Sequence, residues 1–291
     1  MEELSAGGSG RAIRFSGGDI FVAERGAGLP VVALHAIGHG SGDFLPLAER
    51  VGSRFRLWMI DWPGHGWSAR GVAPNVWAYE RLLAEVIPQL SSEPVILLGN
   101  SIGAAAALVL AARSPALVRG LALCDPAGLV ALGRAQRLLI DGFVRFFEAG
   151  ARGAWWFPAA FRAYYRFVLP RREAAARRGA ICAASASTAA LLAEAWRSFG
   201  EPVFDLRHLV PRVTAPVWIA WAKHDCIVSW RASRRAAEGF VRHTVTHFPG
   251  GHSPFIEAPD DFAAVFSAMF AGGGLQNSLR SGRMAGPPTG E

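Results

Sequence analysis

A chain of 291 residues, 51% of them hydrophobic, is long enough for one large α/β domain with a sizeable core or for two smaller ones. Its formal charge of +7 comes from 30 basic against 23 acidic residues. The basic residues are scattered arginines, with Lys223 the sole lysine, and no basic run is interleaved with aromatics, which argues against nucleic acid as a partner. Cys124, Cys182 and Cys226 are too sparse for a disulfide framework and lack metal-ligand spacing, so the expectation is no metal and a reducing compartment.

The first ten residues are acidic and Gly/Ser-rich, without the charged-then-apolar order of a leader, so a cytoplasmic location is expected. Two strands, 11–15 and 19–24, form a hairpin joined at Gly17-Gly18. A buried strand over 31–34 runs into the glycine-rich loop His35-Ala36-Ile37-Gly38-His39-Gly40-Ser41-Gly42. A short helix follows over 44–51, with Asp43 as its cap. The strand 56–60 ends in Asp61-Trp62-Pro63-Gly64-His65-Gly66-Trp67-Ser68. Gly64-x-Gly66-x-x-Ala69 imitates a dinucleotide fingerprint, but Gly71 and Pro74 follow it and no helix can begin before about Val76, so the stretch reads as a structural turn.

Residues 76–90 have helical period, with Pro88 late in it. Then comes the stretch that carries chemistry. Four apolar residues, Val95 to Leu98, run into Gly99-Asn100-Ser101-Ile102-Gly103, and an alanine-rich helix follows over 104–112. A strand, a sharp Gly-x-Ser-x-Gly turn and a helix hold a serine hydroxyl clear of its neighbours, beside the N–H groups of a helix start. The segment is apolar enough to suggest a membrane span, but its polar and glycine residues sit near the middle, and no membrane is expected as a partner.

A strand over 117–124 ends at Asp125-Pro126. From Gly128 to about Gly200 strand signals vanish and helix formers dominate, with Trp155, Trp156, Phe157, Phe161, Tyr164, Tyr165 and Phe167 as an aromatic cluster. Strands return at 216–221 and 243–248, with helices at 229–240 and 259–270. Alternating strands and helices imply a mostly parallel, twisted sheet covered by helices on both faces. The helical block is an insertion between the sixth and seventh strands, placed to cap the sheet's C-terminal edge. The expected organisation is core over 1–127, helical cap over 128–212, core again over 213–270 and a flexible Gly/Ser/Pro tail over 271–291.

An activated serine needs a base, and the base needs an orienting acid. Among eight histidines, His252 lies in the glycine loop after the last strand, at the sheet edge where open α/β sheets place their sites. Asp225, after the strand 216–221, is the preferred acid, and Asp125 is its rival. With His35-Ala36-Ile37-Gly38, the Asp61–Ser68 loop, the Ser101 elbow, Asp225 and Gly251-His252 in this order, residues 11–270 resemble an α/β-hydrolase-fold serine hydrolase with a helical cap. The resemblance implies Ser101 as nucleophile, His252 as base then acid, Asp225 as its orienter, and the backbone N–H groups of Ile102 and Ile37 as an oxyanion hole. It implies no cofactor and a small-molecule substrate, and the aromatic cluster of the cap points to an apolar pocket for a small to medium hydrophobic ester or lactone. Candidate substrate contacts are His35, Asn100, Trp155 and Trp156. Gly99-Asn100-Ser101 with Asp125-Pro126-Ala127-Gly128-Leu129 is also similar to C–C bond hydrolases of aromatic ring-cleavage products. A reading of another class is a ligand receptor or accessory protein on a slow-hydrolase scaffold. Oligomeric state is not legible.

Overall fold

The computed structural model describes residues 9–271. The expected tail over 271–291 therefore lies almost wholly outside the described residues. Eight strands form one sheet: β1 (Ser9–Phe15), β2 (Gly18–Gly26), β3 (Leu29–Leu34), β4 (Phe55–Ile60), β5 (Val95–Asn100), β6 (Val118–Cys124), β7 (Val217–Ala222) and β8 (His243–Phe248). Their order is β1-β2-β4-β3-β5-β6-β7-β8. β2 runs antiparallel to both β1 and β4, and every other pairing is parallel. This is the expected α/β fold.

The burial of each strand follows from its place. All six residues of β5 and all six of β7 are buried, which requires cover on both faces and explains their unbroken apolar runs. β8, at the edge, alternates buried with half-buried residues. The helices α1 (Leu45–Val51), α2 (Val76–Leu90) and α3 (Ile102–Arg113) follow β3, β4 and β5 in turn. In α3 every residue but Arg113 is buried, and its run of alanines lets the helix lie close to the sheet and to α2. It is a core helix, and no single helix among the described residues is long and apolar enough to cross a membrane.

The expected helix over 44–51 begins instead as a 3₁₀ turn, Ser41–Phe44, ahead of α1. Asp43 makes no cap hydrogen bond there, because its carboxylate is engaged elsewhere.

Between β6 and β7 lie four helices, α4 (Arg134–Ala151), α5 (Phe157–Val168), α6 (Ala175–Ala183) and α7 (Ser185–Phe199), packed mainly through α4 against α7. Aromatic rings fill the space between them. Phe143 stacks on Trp196 at 4.1 Å between ring centres, and Phe147 meets Phe157, Phe161 and Tyr164 edge to face. Bonds to the core hold this block over the sheet. The backbone N–H of His252 donates to Val168 O at 2.8 Å, and Trp77 Nε1 donates to Val203 O at 3.0 Å. After β7 come α8 (Trp230–Ala237), α9 (Pro254–Glu257) and α10 (Pro259–Phe270). The Phe262 and Phe266 rings of α10 pack on Trp218 of β7.

Candidate active site

Because β3, β5, β6, β7 and β8 are parallel, their C-terminal ends share one edge, and the loops leaving them carry His35, Ser101, Asp125, Asp225 and His252. At the elbow Ser101 has φ +55°, and with Asp125 at φ +44° it is one of two non-glycine residues with positive φ among those described. Such conformations cost of order 1–3 kcal/mol and persist where their surroundings hold them. Here the Ser101 N–H donates to Cys124 O at 3.0 Å, and Ser101 O accepts from Ala105 N at 3.0 Å. Both flanking glycines are required by space. A Cβ on Gly99 would lie 2.5 Å from Ala104 N, and one on Gly103 would lie 2.2 Å from Leu34 O. The first conflict is across the turn, and the second is with β3.

Ser101 and His252 line one cavity of about 230 Å³, roofed by α4, α5 and α7. His252 Nδ1 lies 2.8 Å from Asp225 Oδ2, and both side chains are almost fully buried. Asp225 Oδ1 in turn accepts from Ile227 N at 2.7 Å and Val228 N at 3.1 Å, so the tight turn after β7 orients the carboxylate. Ile102 is the first residue of α3 and has no carbonyl one turn back for its N–H. Ile37 lines the same cavity from the loop after β3. A serine hydroxyl, a buried imidazole held by a carboxylate, and a helix start beside them are the parts that acyl transfer needs.

Sequence reasoning assigned four substrate contacts, and none of them lines this cavity. Trp155 is 91% exposed and Trp156 is 38% exposed, both in the turn between α4 and α5 and outside the cavity. The rings that do reach it are Phe147, Tyr164, Tyr165, Trp196, Phe199 and Phe204. His35 is fully buried, with Nδ1 2.7 Å from Ala36 O and Nε2 accepting from Trp62 N at 3.1 Å. It pins the β3 loop to the β4 loop. Asn100 is also fully buried. Its amide donates to Cys124 O and to His252 O at 2.9 Å, and its oxygen accepts from Ser253 Oγ at 2.8 Å. It ties the histidine loop to the elbow.

Other polar contacts were not foreseen. His39 lines the cavity with Nδ1 2.7 Å from Asp43 Oδ2, and Arg177 of α6 pairs with the other Asp43 oxygen. Burial alone would raise the Asp43 carboxyl, but the Arg177 guanidinium and His39 outweigh it and hold it well below the usual range. The i,i+4 spacing of His39 and Asp43 was the available signal. Glu257, fully buried, accepts from Gly251 N at 2.6 Å and Arg171 N at 3.1 Å, and so links the histidine loop to the cap. Among the described residues, Asp125, Asp225 and His252 form a cluster dense enough in ligand atoms to hold a cation, but His252 Nδ1 and both Asp225 oxygens are engaged internally.

The nearby loop over residues 61–68 closes around a carboxylate rather than a nucleotide. Asp61 accepts from Ser41 N at 2.6 Å and Trp67 N at 3.0 Å, and a Cβ on Gly66 would sit 2.1 Å from Asp61 Oδ2.

This arrangement of sheet, elbow and roofed cavity defines an α/β hydrolase. Residues 31–265 match the model of the alpha/beta hydrolase family, and the chain belongs to that family. It is 29% identical over 264 residues to a pimeloyl-[acyl-carrier protein] methyl ester esterase of Xanthomonas axonopodis pv. citri, covering 84% of this chain and 96% of the relative. Solved structures of similar fold include an esterase from Exiguobacterium antarcticum (TM-score 0.78, 21% identity, 89% of this chain and 98% of that one). An enol-lactonase from Burkholderia xenovorans is another (TM-score 0.74, 17% identity, 90% of this chain and 100% of that one). The protein is an enzyme of the hydrolase class, and its relatives include esterases.

Proposed function

We propose that the protein hydrolyses small to medium hydrophobic carboxylic esters or lactones through a Ser101–His252–Asp225 triad and an acyl-enzyme. The observation that carries this reading is the shared cavity: Ser101, His252 and Ile37 face one largely apolar space, with His252 held by Asp225 at 2.8 Å. Ser101 Oγ attacks the carbonyl carbon while His252 Nε2 takes its proton, and Asp225 steadies the imidazolium. The oxyanion rests on the N–H groups of Ile102 and Ile37. His252 returns the proton to the leaving alkoxide, and water then cleaves the acyl-enzyme by the same route. Leu192, Ile140 and Trp196 supply the apolar wall against which the acyl chain lies.

Fluorophosphonate labelling and turnover of short-chain p-nitrophenyl esters test the assignment. Wild type should label at Ser101 and turn over repeatedly, and Ser101→Ala should do neither, with a rate loss of about 10⁴-fold or more. A folded wild type that does not label would overturn it, and labelling without turnover would favour a receptor.

A second reading is favoured by charge. Residues 128–200 hold eleven arginines against four acidic residues, which accounts for the whole of the chain's +7. A cap so charged suits an ester presented on an anionic carrier, in keeping with the acyl-carrier-protein ester named for the Xanthomonas relative. A carrier-linked methyl ester should then show a higher kcat/KM than the free ester, with an advantage that shrinks as salt rises.

A further inference from the structure

Behind the His252–Asp225 pair lies a second carboxyl group that the mechanism above does not use. Asp125, at the end of β6, is fully buried. Its Oδ1 accepts from Ala222 N at 2.9 Å, while its Oδ2 is buried with no hydrogen-bond partner. One carboxylate oxygen each from Asp125 and Asp225 and one ring nitrogen of His252 all lie within 4.8 Å of one another. The two carboxyl groups are not alike. Asp225 receives the N–H groups of Ile227 and Val228 on one oxygen and His252 on the other, the surroundings of an ionised carboxylate. Asp125 has one backbone donor and a negative neighbour.

Two ionised carboxylates this close, shielded from water, cannot both keep their charge. We infer that Asp125 is a protonated carboxylic acid whose Oδ2–H donates to Asp225, making it a positioning residue for the acid that holds His252. The inference rests on the reading of Ser101, His252 and Asp225 as the catalytic set.

The surroundings agree. Burial first, then the charge of Asp225, pushes the Asp125 carboxyl well above the ordinary carboxylate range. Glu257 on α9 adds to it with the same sign. Cys124, next to Asp125 on β6, is itself raised by burial and then by Asp125, so it stays a neutral thiol and adds no charge of either sign. The positively chargeable member of the cluster is His252, which Asp225 already holds. A neutral donor fixes the fourth side of Asp225 without placing a second negative charge beside the imidazole. The backbone fits the role as well. Asp125 sits at φ +44°, where aspartate and asparagine are the side chains most readily accepted after glycine.

The test is the pH dependence of kcat/KM for a p-nitrophenyl ester in wild type, D125N, D125A and D225N. Asparagine keeps both a donor and an acceptor in place. D125A should lower kcat roughly 10- to 100-fold, the worth of one hydrogen bond to a charged group, and D125N should restore most of that loss. The acid limb of the D125N profile should lie within about 0.3 unit of wild type, because no charge has been removed. Were Asp125 ionised, D125N would strip a negative charge from beside His252 and move that limb down by about a unit or more, overturning the inference. Should D125A fail to fold, the D125N profile decides, together with the infrared carbonyl band of a protonated carboxylic acid, expected in wild type at neutral pH and absent from D125N. D225N separates the two readings. Full activity in D225N overturns the triad itself, whereas loss in D225N with wild-type behaviour in D125A overturns only the role of Asp125.

Discussion

Acid should loosen this fold through His65, and the size of the effect follows from its hydrogen bonds. The ring is buried in the loop after β4, at 2% exposure. Nε2 accepts the Gly38 N–H at 2.9 Å, and Nδ1 lies 3.3 Å from Pro63 O, to which it donates. Those two partners require the neutral ring with its proton on Nδ1, since a second proton on Nε2 would face the Gly38 N–H. Burial lowers its pKa from 6.5 to about 3. Its edge-on neighbour His35, 4.9 Å away between ring centres, is lowered to about 3 by the same cause. A base depressed in the fold leaves stability intact above its unfolded pKa and removes it as pH falls from there towards the folded value. Between 6.5 and about 3 the unfolded chain binds a proton that the fold excludes. The slope is about 1.4 kcal/mol per pH unit, so moving from pH 7 to pH 5 costs roughly 2 kcal/mol through His65 alone.

Asp125 and Glu257, both raised by burial, take up protons in the fold and act in the opposite sense, so the pH dependence of wild type alone does not isolate the histidine. His65→Gln does, because its amide oxygen can still accept from Gly38 while the titrating group is gone. Urea unfolding followed by tryptophan fluorescence, for both proteins at pH 7 and pH 5, gives the difference. The variant should gain about 2 kcal/mol on wild type between the two pH values, or about 4 to 8 °C in Tm. An unchanged gap, within about 0.5 kcal/mol, would refute the claim that this ring is held neutral.

Two further outcomes follow from the geometry. Gly103→Ala would press a Cβ to 2.2 Å from Leu34 O in a buried strand and should cost about 3 kcal/mol or more by thermal or urea melts, whereas Gly142→Ala, with open space at its Cβ, should be neutral or slightly stabilising. Leu139, which lines the cavity and is 53% exposed, stands at its wall; Leu139→Trp should penalise hexanoyl and longer esters about tenfold more than acetate in kcat/KM, and equal losses across chain lengths would place the acyl chain elsewhere.

The elements were legible because their signals are local. β8, α2 and α10 begin and end where period and turn residues place them, and the elbow announces itself through two glycines around one serine. The substrate contacts were not legible for the opposite reason. Trp155 and Trp156 look like pocket residues because they are large and apolar, yet which face of a cap turns inward depends on how α4, α5 and α7 meet, and a chain carries no local mark of that. Asp43 resembles a helix cap until Arg177 arrives from 134 residues away, and Asn100 resembles a ligand contact until the His252 loop closes over it.

By itself, then, the sequence determined the alternation of strands and helices, the strained serine and the order in which Ser101, Asp225 and His252 reach one sheet edge, since each depends on neighbours a few residues away or on the right-handed run of parallel strands. Tertiary structure alone decided which rings wall the cavity and which polar groups brace it. It alone also set Asp125 and Asp225 side by side in the dry interior, where the two carboxyl groups cannot carry the same charge.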